Sequence, residues 1–199
     1  MNSPEIQRMI QMLSRLPGLG PRSGRRAALY LMRKRELLLK PLIEALQNAE
    51  KNITNCNLCF NLDTTNPCQI CQDYKRDKGV LCITADVADL WAIERSQIYK
   101  GKFHVLGGLL SALDNIGPQQ LSLDAMLKRI ESENIQEVIL ALNATVDGQT
   151  TMHYLADQLK RFPVKISSLA QGVPIGGELD YLDEGTLGAA FLGRKNVTL

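Results

Sequence analysis

The chain has no apolar run approaching the roughly 18 residues that a membrane-spanning helix needs. It begins Met1-Asn2-Ser3-Pro4-Glu5, without the basic flank and apolar stretch of a secretory signal, so a cytosolic, non-membrane protein is the expectation. That compartment keeps thiols reduced, which argues against disulfides for the five cysteines. No segment repeats and none is of low complexity. A Walker phosphate loop is also missing: Gly172-Val173-Pro174-Ile175-Gly176-Gly177 lacks the G-K-[ST] ending and reads as a rigid turn leading to Asp180-Tyr181-Leu182-Asp183-Glu184. Histidine is limited to two residues. His104, flanked by Phe103 and Val105, is read as a hydrogen-bonded structural residue in preference to a general base or ligand, and His153 as a surface residue.

What is present is a concentrated set of cysteines. Cys56-Asn57-Leu58-Cys59 is followed, after eight residues, by Cys68-Gln69-Ile70-Cys71. Two such pairs can place four thiolates round one ion, and Zn²⁺ takes tetrahedral sulfur ligation with no open position in structural sites. The intervening residues, Asn61 to Pro67, are too few and too polar to bury a core, so the metal is expected to fold this knuckle. Neither pair lies between a strand and a helix, as a redox site would. Cys82, in Val80-Leu81-Cys82-Ile83, reads as a small buried hydrophobe.

The formal charge of +2 hides an asymmetry. Residues 1–54 carry 10 Lys/Arg against 4 Asp/Glu, and residues 55–199 carry 13 against 17. The arm is therefore suited to a polyanion. Within it, Ser3-Pro4 reads as a helix start, and Ile6, Met9, Ile10, Leu13 and Leu16 form one apolar face ending at Pro17-Gly18. A second helix is expected from Arg22 or Ser23 to about Lys34, burying Ala27, Ala28, Leu31 and Met32. A third carries Leu39, Leu42, Ile43, Leu46, Ala49 and Ile53 into the first cysteine pair.

Glycines 18 and 20, in the turn between the first two helices, leave peptide N–H groups open to a phosphate at the start of the second helix. Arg22, Arg25 and Arg26 follow at once, and no acidic residue intervenes before Glu36. A Pro-Gly turn between packed helices needs no ligand, an arginine run is often a solvated face, and Arg33-Lys34-Arg35 suits a helix end. The combination with six basic residues between 22 and 35 favours backbone contact with DNA or RNA, of a kind that reads no base sequence.

Beyond the cysteines the pattern alternates. Strands are expected at residues 79–84, 103–106, 137–142 and 164–169. Helices are expected over 86–95, with Val87, Leu90, Trp91 and Ile93 inward; around Leu123 to Ile130; and over 149–160. This is a mostly parallel α/β sheet covered on both faces, with ligands beyond the carboxyl ends of its strands. A Mg²⁺-dependent phosphoryl-transfer enzyme would gather carboxylates there. The loops offer Asp86, Asp89 and Asp147, but Ala85 and Gln149 supply no charge.

Four stretches taken together resemble the RecR family of bacterial recombination mediators over essentially the whole chain. They are Leu16-Pro17-Gly18-Leu19-Gly20-Pro21-Arg22-Ser23, the cysteines at 56, 59, 68 and 71, Phe103 to Ser111, and Gly172 to Tyr181 with Asp183-Glu184. The resemblance implies a helix-hairpin-helix arm (1–54), a four-cysteine zinc finger (55–75), a Toprim domain (76–170) and a C-terminal segment with a Walker-B-like stretch (171–199). It implies a non-enzymatic protein that binds double- and single-stranded DNA, assembles through its N- and C-terminal parts into a dimer and a ring tetramer, and works with RecO and RecF to load RecA onto gapped DNA coated by single-strand-binding protein. Carried onto this chain, DNA contact falls to Gly18, Gly20, Arg22, Arg25 and Arg26, one Zn²⁺ to the four cysteines, and RecO contact to Asp86, Asp89, Asp147 and Glu178. Ala85 stands where the Toprim motif carries glutamate, and Gln149 where a second acid accompanies Asp147. Ser168 and Gln171 stand where arginine is frequent. The rival readings are a Toprim nuclease, primase or topoisomerase, and a zinc-stabilised interaction module with no nucleic-acid role.

Overall fold

The structure, a computed structural model, describes residues 3–196; the remaining residues of the expected arm and tail lie outside the described residues. Two compact units result, one ending at Ile53 and the other beginning at Thr54.

In the first unit, α1 (Pro4–Leu13) starts at Ser3, whose hydroxyl accepts from the Ile6 amide at 3.4 Å, with Pro4 in the first turn. It ends three residues before Leu16, because the chain tightens into i→i+3 bonds from Arg15 and Leu16. Helix α2 (Pro21–Arg33) starts one residue earlier than expected, since Pro21 presets the first helical φ. It buries Gly24, Ala28 and Leu31, while Ala27 and Met32 are only half-buried. After Lys34, one π-helical turn (Arg35–Leu39) leads into α3 (Lys40–Asn52). The apolar face expected on this third helix is present, but Leu42, Ile43, Leu46 and Ile53 are exposed, as is Leu37 on the preceding turn. The periodicity identifies a face without identifying what covers it.

The second unit opens with the cysteine knuckle: a two-stranded antiparallel ribbon of β1 (Thr54–Asn55) and β2 (Leu62–Asp63), then the single turn α4 (Gln69–Gln72). The sheet follows as β3 (Asp77–Thr84), β4 (Gly101–Val105), β5 (Glu137–Ala141) and β6 (Lys165–Ser168), all parallel in the order β4-β3-β5-β6. The crossovers carry α5 (Val87–Ser96), α6 (Leu123–Ser132) and α7 (Val146–Leu159), and α8 (Glu184–Leu192) lies in the C-terminal segment. Helix α7 begins three residues before Gln149, because the Thr145 hydroxyl accepts from the Gly148 amide. Among the described residues no helix is long and apolar enough to cross a membrane.

Alternation along β3 sends side chains to two cores. Leu81 and Ile83 join Val138 and Leu140 against Met126 and Ile130 of α6 and Leu155 and Leu159 of α7. Cys82 faces the other way, with Phe103, Val105 and Ala141, against Leu90 of α5 and against Phe60 and Ile70 of the knuckle. The knuckle thus supplies part of the layer that covers this face. Each large apolar side chain removed from water here contributes about 2 kcal/mol. Cys82 is buried as expected, and burial pushes its thiol up to about 12. Trp91, expected inward, stands half out of the surface and donates its indole N–H to Asn61 Oδ1 at 3.0 Å. An amphipathic aromatic with a polar handle settles well at such a boundary.

His104 is fully buried between the sheet and the knuckle, edge-on to Phe60 at 5.3 Å. Its Nε2 lies 2.9 Å from Ser122 Oγ, which itself donates to the Val105 carbonyl at 2.6 Å. The hydroxyl proton is therefore committed, and the network assigns the imidazole proton to Nε2. His153 is exposed, as expected.

Burial pushes the His104 imidazole down to about 4 from its ordinary value of 6.5. Between those values the unfolded chain binds a proton that the folded one refuses. The stability is complete above pH 6.5 and declines as pH falls, by up to about 1.4 kcal/mol per pH unit. We predict that denaturant titrations of wild type between pH 7.5 and 5 show this slope, and that His104→Gln flattens it.

Candidate nucleic-acid interface and metal centre

The hairpin between α1 and α2 presents donors without acceptors. Gly18 adopts φ +78°, closed to most side chains. Gly20 does not share that requirement, since it caps α2 with ordinary extended backbone (φ −75°). A Cβ on Gly20 would meet nothing within 4 Å, so its contribution is open space above the helix start. The cap carries no side-chain hydrogen bond. Among the described residues the amides of Gly18, Gly20, Arg22 and Ser23 find no acceptor in the chain. Arg22, Arg25 and Arg26 are exposed on the first two turns of α2, opposite its buried Gly24, Ala28 and Leu31. All five residues expected to contact DNA thus fall within one hairpin and two helical turns.

The four cysteines converge as their spacing predicts, with all sulfurs within 4.8 Å of one another. Cys59 and Cys68 Sγ lie 3.4 Å apart, and Cys56 and Cys71 Sγ 3.8 Å. A tetrahedral ion with bonds of about 2.3 Å sets its sulfurs about 3.8 Å apart, so the set fits a closed four-thiolate metal site. Four thiolates this close repel without a cation. The Cys59–Cys68 hydrogen bond already separates the pair, holding Cys68 below the ordinary thiol range and pushing Cys59 above it. Polar groups shape the turns around the sulfurs. The Cys68 amide donates to Cys56 Sγ at 3.3 Å, the Asn57 amide to Asn66 Oδ1 at 2.9 Å, and the Gln69 amide to Asp63 Oδ2 at 2.8 Å.

The knuckle is bonded to the sheet as well as packed on it. The Val105 amide donates to the Cys59 carbonyl at 2.9 Å, extending β4 into the first cysteine pair. Arg129, only 6% exposed, rises from α6 and donates through Nη1 to the carbonyls of Phe103 (2.6 Å) and Leu58 (3.4 Å), and through Nε to Glu133 (2.8 Å). Lys102 also pairs with Glu133 at 3.0 Å. Burial would raise Glu133, but its bonds to Arg129 and Lys102 outweigh that and hold it below the usual carboxylate value. Arg129 is not marked by any motif in the sequence. The available signal was a guanidinium on the apolar stripe of Met126 and Ile130, where a charge survives only with partners.

At the strand ends the acids are partly spoken for. Asp86 caps α5, accepting from the Ala88 amide at 2.8 Å, and Asp89 accepts from the Asp86 amide at 3.2 Å, a reciprocal capping box. Pairing of β3 with β5 brings Asp147, in the first turn of α7, to the same edge of the sheet. Ala85 is buried and offers no ligand. Among the described residues the four cysteines are the one set of three or more such side chains close enough to share an ion, so no comparable cluster of carboxylates gathers at this edge of the sheet. Glu178 is exposed ahead of a 3₁₀ turn (Leu179–Tyr181) and makes no cap bond. Asp183 is committed to α8, accepting from the Thr186 amide at 2.9 Å and hydroxyl at 2.6 Å, bonds that lower its carboxyl.

Removing one sulfur isolates the knuckle's dependence on its ion. We predict that Cys68→Ala loses stoichiometric metal and becomes protease-sensitive between Asp63 and Asn66, while far-ultraviolet circular dichroism retains the helices and sheet.

Comparison with known proteins completes the description. Residues 6–50 match the RecR helix-hairpin-helix model, 79–170 the Toprim domain model and 172–195 the RecR C-terminal model. The chain is 54% identical over 198 residues to the Recombination protein RecR of Rhizorhabdus wittichii, covering 100% of both chains. It is 59% identical over 193 residues to that of Beijerinckia indica subsp. indica (97% of this chain, 96% of the relative), and 56% over 194 to that of Bartonella quintana (98% and 96%). With a hairpin arm, a four-cysteine cluster, a parallel Toprim sheet and these full-length relatives, the chain belongs to the RecR family of recombination proteins.

Proposed function

We propose that this chain is a DNA-binding mediator of recombinational repair with no catalytic step of its own. The observation that carries the reading is the hairpin: amides at Gly18, Gly20, Arg22 and Ser23 that find no acceptor among the described residues, beside the exposed Arg22, Arg25 and Arg26, with no acid between them and Glu36. Such a surface binds backbone phosphates of double- and single-stranded DNA alike, because amide and guanidinium donors meet phosphate oxygens and no base edge. The ion is Zn²⁺, one per chain, since closed tetrahedral sulfur sites with a structural role are its commonest setting. The incomplete acidic set favours this reading over a Toprim nuclease, primase or topoisomerase.

The functional divisions are the arm (1–54), the finger (55–75), the Toprim domain (76–170) and the C-terminal segment (171–199). Asp86, Asp89, Asp147 and Glu178 form an acidic surface for RecO. With RecF, the cytoplasmic complex loads RecA onto gapped DNA. Self-assembly into a dimer and a ring tetramer is supported by apolar side chains exposed near both ends. Leu37 (78% exposed) and Leu46 lie on or beside α3, and Ile175, Tyr181, Phe191 (71%) and Leu192 lie in the C-terminal segment.

Removing one cationic partner of a phosphate lowers the slope of log affinity against log salt by about 0.9 on duplex DNA. We predict that Arg22→Gln with Arg26→Gln reduces that slope by about 2 and weakens all DNA sequences equally, read by fluorescence anisotropy across a salt series. An unchanged slope would remove the hairpin as the DNA site.

A further inference from the structure

A second basic feature of the arm lies beside the hairpin, on the α1 side. Helices α1 and α2 approach closely where Gly24 faces Ser14: a Cβ on Gly24 would lie 2.3 Å from Ser14 Oγ and 3.1 Å from its amide nitrogen. Alongside this approach a cleft of about 950 Å³ opens between the helices. Its walls carry Arg8, Arg15 and Arg25, together with the neutral hydrogen-bonding side chains of Gln7, Gln11 and Ser14.

The spacing explains the convergence. Arg8 and Arg15 are seven residues apart, two helical turns, and so share one face of α1 about 10 Å apart along its axis. Arg15 lies beyond the last residue of α1, but the Arg15-to-Met12 and Leu16-to-Leu13 backbone bonds carry the coil one turn further. Arg25 comes from α2. All three are exposed, and among the described residues none forms an ion pair. The one acid of α1, Glu5, does not line the cleft.

Three exposed guanidiniums that line one cleft with no carboxylate among its walls concentrate positive charge, which a string of anions neutralises. We propose that this cleft is a second contact for the nucleic-acid backbone, with Arg8 and Arg15 extending the surface that begins at the hairpin. Arg25 lines the cleft and belongs to the hairpin set as well, so the two surfaces are continuous, whereas Arg22 and Arg26 lie outside the cleft. Gln7 and Gln11 bring neutral amide donors, of the kind proteins use on phosphate and sugar oxygens, beside Arg8 and Arg15, while the Ser14 hydroxyl is committed to the Ile10 carbonyl at 2.7 Å. The proposal rests on the hairpin reading for the identity of its ligand, and on the cleft's own residues for its location.

The test compares full-length wild type, Arg8→Gln/Arg15→Gln, Arg22→Gln/Arg26→Gln and the fourfold variant. Duplex-DNA anisotropy is measured over a salt series, with light scattering and thermal melting as controls. The expected result is a slope lowered by about 2 in each double variant and by about 4 in the fourfold variant, with mass and melting unchanged. A normal slope in Arg8→Gln/Arg15→Gln, with a lowered one in Arg22→Gln/Arg26→Gln, overturns the cleft and leaves the hairpin standing; the reverse pattern overturns the hairpin alone. A changed mass at normal slope makes the cleft an interface between copies and overturns the proposal.

Discussion

Four sulfurs within 4.8 Å of one another can share that space as thiolates only round a cation, and the second unit depends on this electrostatic constraint. Closing the cluster fixes the polar turn from Asn57 to Pro67, which has no core to hold it. It also fixes the Cys59 carbonyl where the Val105 amide reaches it, the Leu58 carbonyl where Arg129 does, and the Phe60 ring against His104. With the knuckle in place, Phe103, Val105 and Cys82 are covered on the side where α5 alone would leave the sheet partly open. The four-cysteine knuckle is therefore part of the sheet's covering layer.

Several acids of the second unit hold helix starts. Capping occupies Asp86 and Asp89, the position that a Toprim glutamate would fill is a buried alanine, and Asp183 holds the start of α8. Positive charge is concentrated in the first unit, around a hairpin where, among the described residues, the amides of Gly18, Gly20, Arg22 and Ser23 find no acceptor, and a cleft lined by arginines and no carboxylate. Division of labour between a basic arm and an acidic sheet edge suits a protein that positions other molecules.

Much of this was legible in local spacing. The paired cysteines, the apolar strand runs at 79–84 and 137–142, the Ser3-Pro4 start and the Gly18 turn each follow from chemistry within a few residues. The illegible parts involve partners far along the chain. Arg129 reaches Leu58 across 71 residues, and Trp91 reaches Asn61 across 30. Periodicity marked Trp91 as apolar and inward; its indole N–H made the surface the better place. Likewise the pattern of α3 revealed an apolar face but could not reveal that the face is exposed within one chain. Arg8 and Arg15 carry no signal of their own because their meaning depends on Arg25, which a second helix brings beside them.

One ion is expected to hold the knuckle as a working part of the sheet. Amide hydrogen exchange before and after metal removal tests it most directly. The amides of Cys56, Gln69 and Val105 are expected to lose protection together when the metal is withdrawn, while those of Val138 and Leu140 at the centre of β5 keep theirs. Unchanged protection at Cys56, Gln69 and Val105 in the metal-free protein would contradict it.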